Sequence, residues 1–365
     1  MAVMVQRKTP PLGDRKDLIT DSYRAVPAMP GRRLPRHRSS VPVVGQPGDD
    51  AVTAVAGTYR AFARLEARGR SAAYEALAES VAGDAALAGF IASLPPGKRQ
   101  PNLLFAAARY LLGAPPDIGS LRELASQSRA GLTELILARR TQTNEPARSA
   151  VLLPALAQLP PPLALIEAGA SAGLNLLVDR YSYDYAGHRL AGLDPEAPTL
   201  WCEPRGPVPL PARIPAISWR AGIDLNPLDV TREDDVRWLS CRVWPGEGDR
   251  AQRLAAAIAS ARRHPPAVHR GDMLTDLPAL AARAPADATL VIYHTSALWY
   301  VPAEQREQFA GTARGLGATW LASEPPGVVP GTEGPARDGQ TCVLARDGRC
   351  IAVTESHGTW LRWLP

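Results

Sequence analysis

The residues best suited to chemistry lie in Leu165-Ile166-Glu167-Ala168-Gly169-Ala170-Ser171-Ala172-Gly173-Leu174-Asn175, where an acid ends an apolar run and two glycines flank Ser171. Small residues let a backbone pass close to a ligand, and such a turn at the start of a helix leaves amide N–H groups pointing at it. With Glu167 at the strand end and no basic residue in the turn, a zwitterionic amino-acid group suits it better than a pyrophosphate. Three more polar groups end later apolar runs: Asp224 before Leu225, Asp272 before Met273, and His294 before Thr295 and Ser296. Ligands collect at the carboxyl ends of parallel strands, so these positions predict a single crevice. The candidate cofactor contacts are Glu167, Gly169, Ala170, Ser171, Gly173, Asn175, Asp224, Leu225, Asp272 and Met273. Each carboxylate taken alone fits a capping or solvated role equally well.

The same turn also reads as G-x-S-x-G, the nucleophile elbow of serine hydrolases, with Ser171, Asp272 and either His294 or His357 in the chain order that a triad needs. That fold places several strands and an oxyanion loop before its elbow, and residues 51–150 read as neither. Of groups able to move a proton, His294 is the first candidate base and Glu145 the second. Arg140 and Asn144 upstream, and Trp299 and Tyr300 downstream, are candidate substrate contacts, the arginine for an acidic group and the aromatics for stacking on a planar or apolar acceptor.

Elements that position these groups follow from periodicity. Residues 51–150 repeat apolar positions at helical spacing, as in Val52, Val55, Tyr59 and Phe62, and breakers such as Pro95-Pro96 and Pro115-Pro116 divide them into several helices. From residue 151 onward strands alternate with helices: Leu163 to Glu167, Ala216 to Asp224, Ala267 to Asp272, Thr289 to His294 and Ala318 to Glu324 read as strands, and a helix is expected to start at Leu174. Asp347-Gly348 between two apolar runs signals a closing hairpin. The expected architecture is α/β, with a helical module over 51–150 and a Rossmann-like domain over 151–365. Residues 179–213 form an insertion that would cover the site, extend the sheet edge, or pack on the surface.

The chain has 365 residues and a formal charge of +5, yet residues 1–50 hold nine Lys/Arg against five Asp/Glu, leaving 32 against 31 for the rest. The basicity therefore belongs to a Pro-rich tail, expected to be disordered, and does not indicate nucleic-acid binding. Four scattered cysteines with no CxxC pair predict reduced thiols, a cytoplasmic setting and no metal site. No apolar run reaches the roughly 18 residues of a membrane span.

Strands finished by an antiparallel hairpin, with acids ending the second and third, resemble the seven-stranded sheet of class I S-adenosylmethionine-dependent methyltransferases. That resemblance implies adenosylmethionine as cofactor, Asp224 on the ribose, Asp272 with Met273 framing the adenine, and a small-molecule methyl acceptor. The strings Asn102-Leu103-Leu104-Phe105-Ala106-Ala107, Thr141-Gln142-Thr143-Asn144-Glu145, Gly169 to Tyr185, Asp224 to Val230, and Trp244-Pro245 with Asp249-Arg250 resemble the bacterial family of domain of unknown function 2332 over about residues 55–360. The family implies that the Thr141 to Glu145 run is a site reaching over the cofactor, or a capped helix end. A serine hydrolase, or a non-catalytic binding protein on the same fold, are the alternative readings.

Overall fold

The computed structural model describes residues 48–332 and 340–365; of the tail expected to be disordered over residues 1–50, residues 1–47 lie outside them, while Asp49 and Asp50 open the first helix. Seven helices come first: α1 (Asp49–Phe62), which runs on into a π turn, α2 (Ala72–Ala82), α3 (Ala85–Ala92), α4 (Pro101–Leu112), α5 (Ile118–Gln127), α6 (Arg129–Ala138) and α7 (Arg148–Leu156). Their boundaries have local causes. Ser71 and Asp84 accept hydrogen bonds from the first turns of α2 and α3, Asp117 and Ser120 form a capping box on α5, and Pro101 opens α4.

The strands are β1 (Leu163–Ala168), β2 (Ser182–Tyr185), β3 (His188–Leu190), β4 (Thr199–Trp201), β5 (Glu203–Pro204), β6 (Ile217–Asp224), β7 (Val268–Arg270), β8 (Thr289–Thr295), β9 (Thr319–Glu324), β10 (Thr341–Arg346), β11 (Arg349–Glu355) and β12 (Trp360–Trp363). Between them lie α8 (Glu233–Cys241), α9 (Gly248–Arg263), α10 (Leu277–Ala281) and α11 (Ala303–Gly315). The main sheet has the order β7-β6-β1-β8-β9-β10-β11-β12-β5. Its first five strands are parallel, and β10, β11 and β12 follow as an antiparallel meander. The expected count of seven strands becomes nine, because β12 pairs with β11 and the two-residue β5 pairs with β12. Asp347 and Gly348 form the hairpin turn with φ of 53° and 84°, which the Asp-Gly pair tolerates.

The insertion does not cover the crevice. Its strands β2, β3 and β4 make a separate three-stranded sheet, and β5 extends the far edge of the main one. Tyr181, Tyr183 and Tyr185 are buried in it and donate their hydroxyls to the carbonyls of Leu174, Val178 and Ala150. Every residue of β1 is buried. One face of the sheet packs, through Leu163, Leu165, Tyr293 and Leu321, on the helical half of the chain; the other, through Ile166, Ile223 and Trp320, packs on α10 and α11.

Candidate functional site

Strand order locates the crevice. The chain leaves β1 for β6 and β7 on one side, then crosses back to β8 and β9 on the other. The loops after β1 and β8 therefore part in opposite directions at their carboxyl ends, which is where open α/β sheets bind ligands. Here, however, those loops meet. A Cβ built on Gly169, whose φ is 76°, would stand 2.5 Å from Ala297 Cβ, and one on Gly173, φ 73°, would stand 2.8 Å from Pro266 and Val268. Both glycines are required for the left-handed backbone and for close packing.

The turn's amides are directed inward, contrary to the expectation of N–H groups left for a ligand. Gly169 and Ala170 donate to the Ile223 carbonyl, Ser171 to Asp224 at 2.8 Å, Gly173 to the Ala170 carbonyl, and Leu174 to Asn144 Oδ1 at 2.9 Å. Nor does a helix begin at Leu174. Residues Leu174–Leu177 make one 3-10 turn, after which the chain leaves for β2. The tyrosine hydroxyls and Arg220, which donates to the Leu176 carbonyl and pairs with Asp179 at 2.6 and 2.7 Å, take up the groups that a longer helix would have bonded internally.

Glu167 lies beneath this turn, only 1 % exposed, with Asn175 Nδ2 on Oε1 at 3.2 Å and Oε2 without a partner. Burial pushes its carboxyl up to about 8, against the opposing pull of Asn175 and Arg148, so it is protonated at neutral pH and does not offer a charge to a ligand's ammonium. Ala170 and Asn175 are also buried, the latter holding Ser149 through Oδ1. Ser171 has a φ of 54° and a buried hydroxyl with no hydrogen bond, so the hydrolase constellation is not assembled.

Other predicted groups do reach the rim. Asp224 is half-buried; Oδ2 accepts from Ser171 N, and Oδ1 accepts from Asn226 N at 2.7 Å and Gln142 Nε2 at 3.0 Å. A carboxylate has about four acceptor positions, so one remains. Beside it Leu225 is 54 % exposed. Met273 and Asp272 are half-buried, with Met273 Cε 3.6 Å from the position of a Cβ on Gly169 and Asp272 Oδ1 capping Leu274 N.

His294 is not placed to act as a base. Its ring is 0 % exposed on the opposite face of the sheet, with Nδ1 2.6 Å from Glu324 Oε1 and Nε2 accepting from Trp320 Nε1 at 3.0 Å. Glu324 Oε1 also takes the amides of Ala297 and Leu298, so the pair shapes the loop after β8. Glu145, the second candidate, is buried between Arg250 at 2.7 Å and Arg253 at 2.8 Å. Burial would raise its pKa, but the two guanidiniums outweigh that and hold it below the usual carboxylate range. Arg140 is exposed and lies outside the cleft described next, while Asn144 is spent on Leu174. The Thr141 to Glu145 run does cross the strand ends: Thr141 bonds Tyr300, Gln142 bonds Asp224, and Asn144 and Glu145 pin its remainder.

A cleft of about 340 Å³ opens between the helical half and Trp299 and Tyr300 of the loop after β8. Trp299 and Tyr300, 48 % and 54 % exposed with ring centroids 4.6 Å apart, form one lip. Phe62, Glu66, Asn102, Thr141 and Arg242 line the rest. Thus the structure gathers Trp299 and Tyr300 at the cleft and ties Asp224 to it through Gln142, whose neighbour Thr141 lines it, while Leu225, Asp272 and Met273 are not part of its lining.

The sequence matches the family of uncharacterized proteins conserved in bacteria, DUF2332, over residues 56–363. The chain belongs to this family. Comparison with curated proteins and with solved structures gives no match. No helix among the described residues is long and apolar enough to cross a membrane, and no group of three or more His, Cys, Asp or Glu among them is arranged to hold a metal ion.

Three cleft residues of this DUF2332 chain, Glu66, Asn102 and Arg242, come from separate elements and escape motif reasoning. The family strings give the available signal, since one begins at Asn102 and another contains Thr141 and Gln142.

Proposed function

We propose that the chain is an S-adenosylmethionine-dependent methyltransferase of small molecules, with the adenosine end of the cofactor along the rim at Asp224, Leu225 and Met273 and the methyl acceptor in the adjoining cleft. The observation that carries this reading is Asp224 at the end of β6, which keeps an acceptor position beside the exposed Leu225 and accepts from Gln142, whose neighbour Thr141 lines the cleft. The rim fits an adenosine: a carboxylate for a ribose diol and apolar surface for a base. The glycine turn does not fit the amino-acid end, because its amides are spent inside the fold. Any amino-acid group must be held elsewhere.

The cofactor supplies an electrophilic methyl group. What this chain contributes is position, since holding two reactants in line removes an entropic barrier worth up to about 7–11 kcal/mol. Trp299 and Tyr300 orient a planar acceptor, and Thr141 fixes the Tyr300 hydroxyl at 3.2 Å. With His294 and Glu145 both committed, no side chain of the cleft is assigned as a base, which favours an acceptor that is nucleophilic without one.

Calorimetric titration with adenosylmethionine and its demethylated product, adenosylhomocysteine, tests the reading. Binding is expected for both, and Asp224→Ala should weaken it at least tenfold, about 1.4 kcal/mol. If neither compound binds the wild-type chain, or if the substitution leaves affinity intact, the reading is wrong.

A further inference from the structure

Arg242 is a charge with little to balance it. It is 6 % exposed and, among the described residues, forms no ion pair and has one hydrogen bond, from Nη1 to the Asn102 carbonyl, while Nε has none. Burial lowers its pKa to about 10, with the Tyr300 phenol nearby acting in the opposite direction. A buried cation without a contact ion pair is costly, and an arginine fork is shaped for a carboxylate. Across the same cleft stands Glu66, half-buried, joined to Asn102 Nδ2 at 3.5 Å. Burial raises its pKa, against the opposing pull of Arg70, the Asn102 hydrogen bond and Arg242. Asn102 Oδ1 is buried with no hydrogen bond. Glu66 and Arg242 do not pair with each other although both line the space. Two opposite charges, Glu66 and Arg242, therefore line a single cleft with aromatic walls, and two buried polar atoms of that lining, Arg242 Nε and Asn102 Oδ1, have no partner.

We propose that this cleft binds an α-amino-acid zwitterion, its carboxylate on Arg242, its ammonium on Glu66, and its side chain against Trp299 and Tyr300. The inference deepens the methyltransferase reading and rests on it only in calling the occupant an acceptor. The same head group has two sources, a free aromatic amino acid or the amino-acid end of the cofactor, and the second would supply what the glycine turn does not.

The test is a set of titrations of the full chain by calorimetry. L-tryptophan, L-tyrosine and L-phenylalanine are compared with tryptamine and indole-3-propionate, which each lack one charge of the head group. Adenosylhomocysteine is compared with methylthioadenosine, which lacks the amino-acid end. If the occupant is a free amino acid, one of the three binds at least tenfold more tightly than both single-charge analogues; Glu66→Gln then removes the advantage over indole-3-propionate, and Arg242→Met the advantage over tryptamine. If it is the cofactor's own end, adenosylhomocysteine exceeds methylthioadenosine at least tenfold and Glu66→Gln erases the gap. Equal binding within both sets, or no binding by any head-group ligand, overturns the proposal. The analogue comparisons on the wild-type chain stand even if Arg242→Met fails to fold. Methylthioadenosine binding that is sensitive to Asp224→Ala, without head-group discrimination, would sink this inference and leave the methyltransferase reading in place; amino-acid binding with no binding of either methylthioadenosine or adenosylhomocysteine would do the reverse.

Discussion

At the scale of single residues, acids of one chemical type have been assigned different work by their surroundings. Asp224 keeps contact with solvent at the rim, Glu145 is clamped by two arginines, and Glu167 is sealed under the turn. The consequence for Glu167 is a pH dependence of stability. Its carboxyl titrates near 4.5 when unfolded and at about 8 when folded, so the folded chain binds the extra proton between those values. Stability is complete below about 4.5 and falls as pH rises towards 8, where the unfolded chain ionises freely and the folded one resists. Glu167→Gln should remove that loss. Thermal melts are expected to coincide for the two proteins at acid pH and to diverge in favour of the glutamine by up to roughly 4 kcal/mol at pH 8. A difference that stays flat across the range would mean that Glu167 is ionised inside the fold. The sequence marked Glu167 and Asp224 as equivalent strand-end acids. What separated them was which side of the turn each faces, a property of packing that spacing does not encode. His294 illustrates the same limit, because its partners Glu324 and Trp320 sit on a neighbouring strand thirty and twenty-six positions away.

Elements were more legible than their contents. The five parallel strands and the Asp-Gly hairpin fell close to where apolar runs and turn residues put them, since each run was too short and too bounded by breakers to be helical. The helix after the glycine turn was not legible. Leu174 to Val178 is apolar enough to start one, but Tyr181, Tyr183 and Arg220, all from later in the chain, take the carbonyls of Leu174, Val178 and Leu176 instead. The turn itself then acts as a packing device between two loops, which gives a direct test. Gly169→Ala adds a Cβ against Ala297 and forces a left-handed alanine, and should cost roughly 2–4 kcal/mol in chemical denaturation. Ala297→Gly in the same chain relieves the steric share and should bring the loss down to about 1–2 kcal/mol, the left-handed strain alone. Strict additivity of the two substitutions would show that the loops after β1 and β8 are not in contact.

For the whole molecule, the helical half and the sheet half share one apolar core. A continuous cluster runs from Val55, Tyr59 and Phe62 through Phe105 and Trp244 to Leu163, Leu165 and Tyr293. Trp244 lies against Phe62 and Tyr74 with centroids 5.3 and 5.9 Å away, so an aromatic group from the sheet half completes the helical one. Polar ties follow the same line: Arg70 to Glu247 at 3.0 Å, Ser71 Oγ to the Pro245 carbonyl at 2.8 Å, Arg139 to Asp235 at 2.7 Å, and the Glu145 pairs with Arg250 and Arg253. The cleft lies on this seam, so its geometry depends on both halves being in register. Shared burial of this kind couples unfolding, because either half alone would expose Trp244, Trp238 and the aromatic face of α1, α2 and α4. The full chain is expected to melt in one step, with calorimetric and van't Hoff enthalpies equal. A fragment of residues 157–365 should keep far-ultraviolet signal, lose near-ultraviolet signal and expose apolar surface to a hydrophobic dye. Two resolved transitions in the full chain, or a fragment that unfolds cooperatively, would mean that the halves are separate domains, and the cleft would then be free to open and close between them.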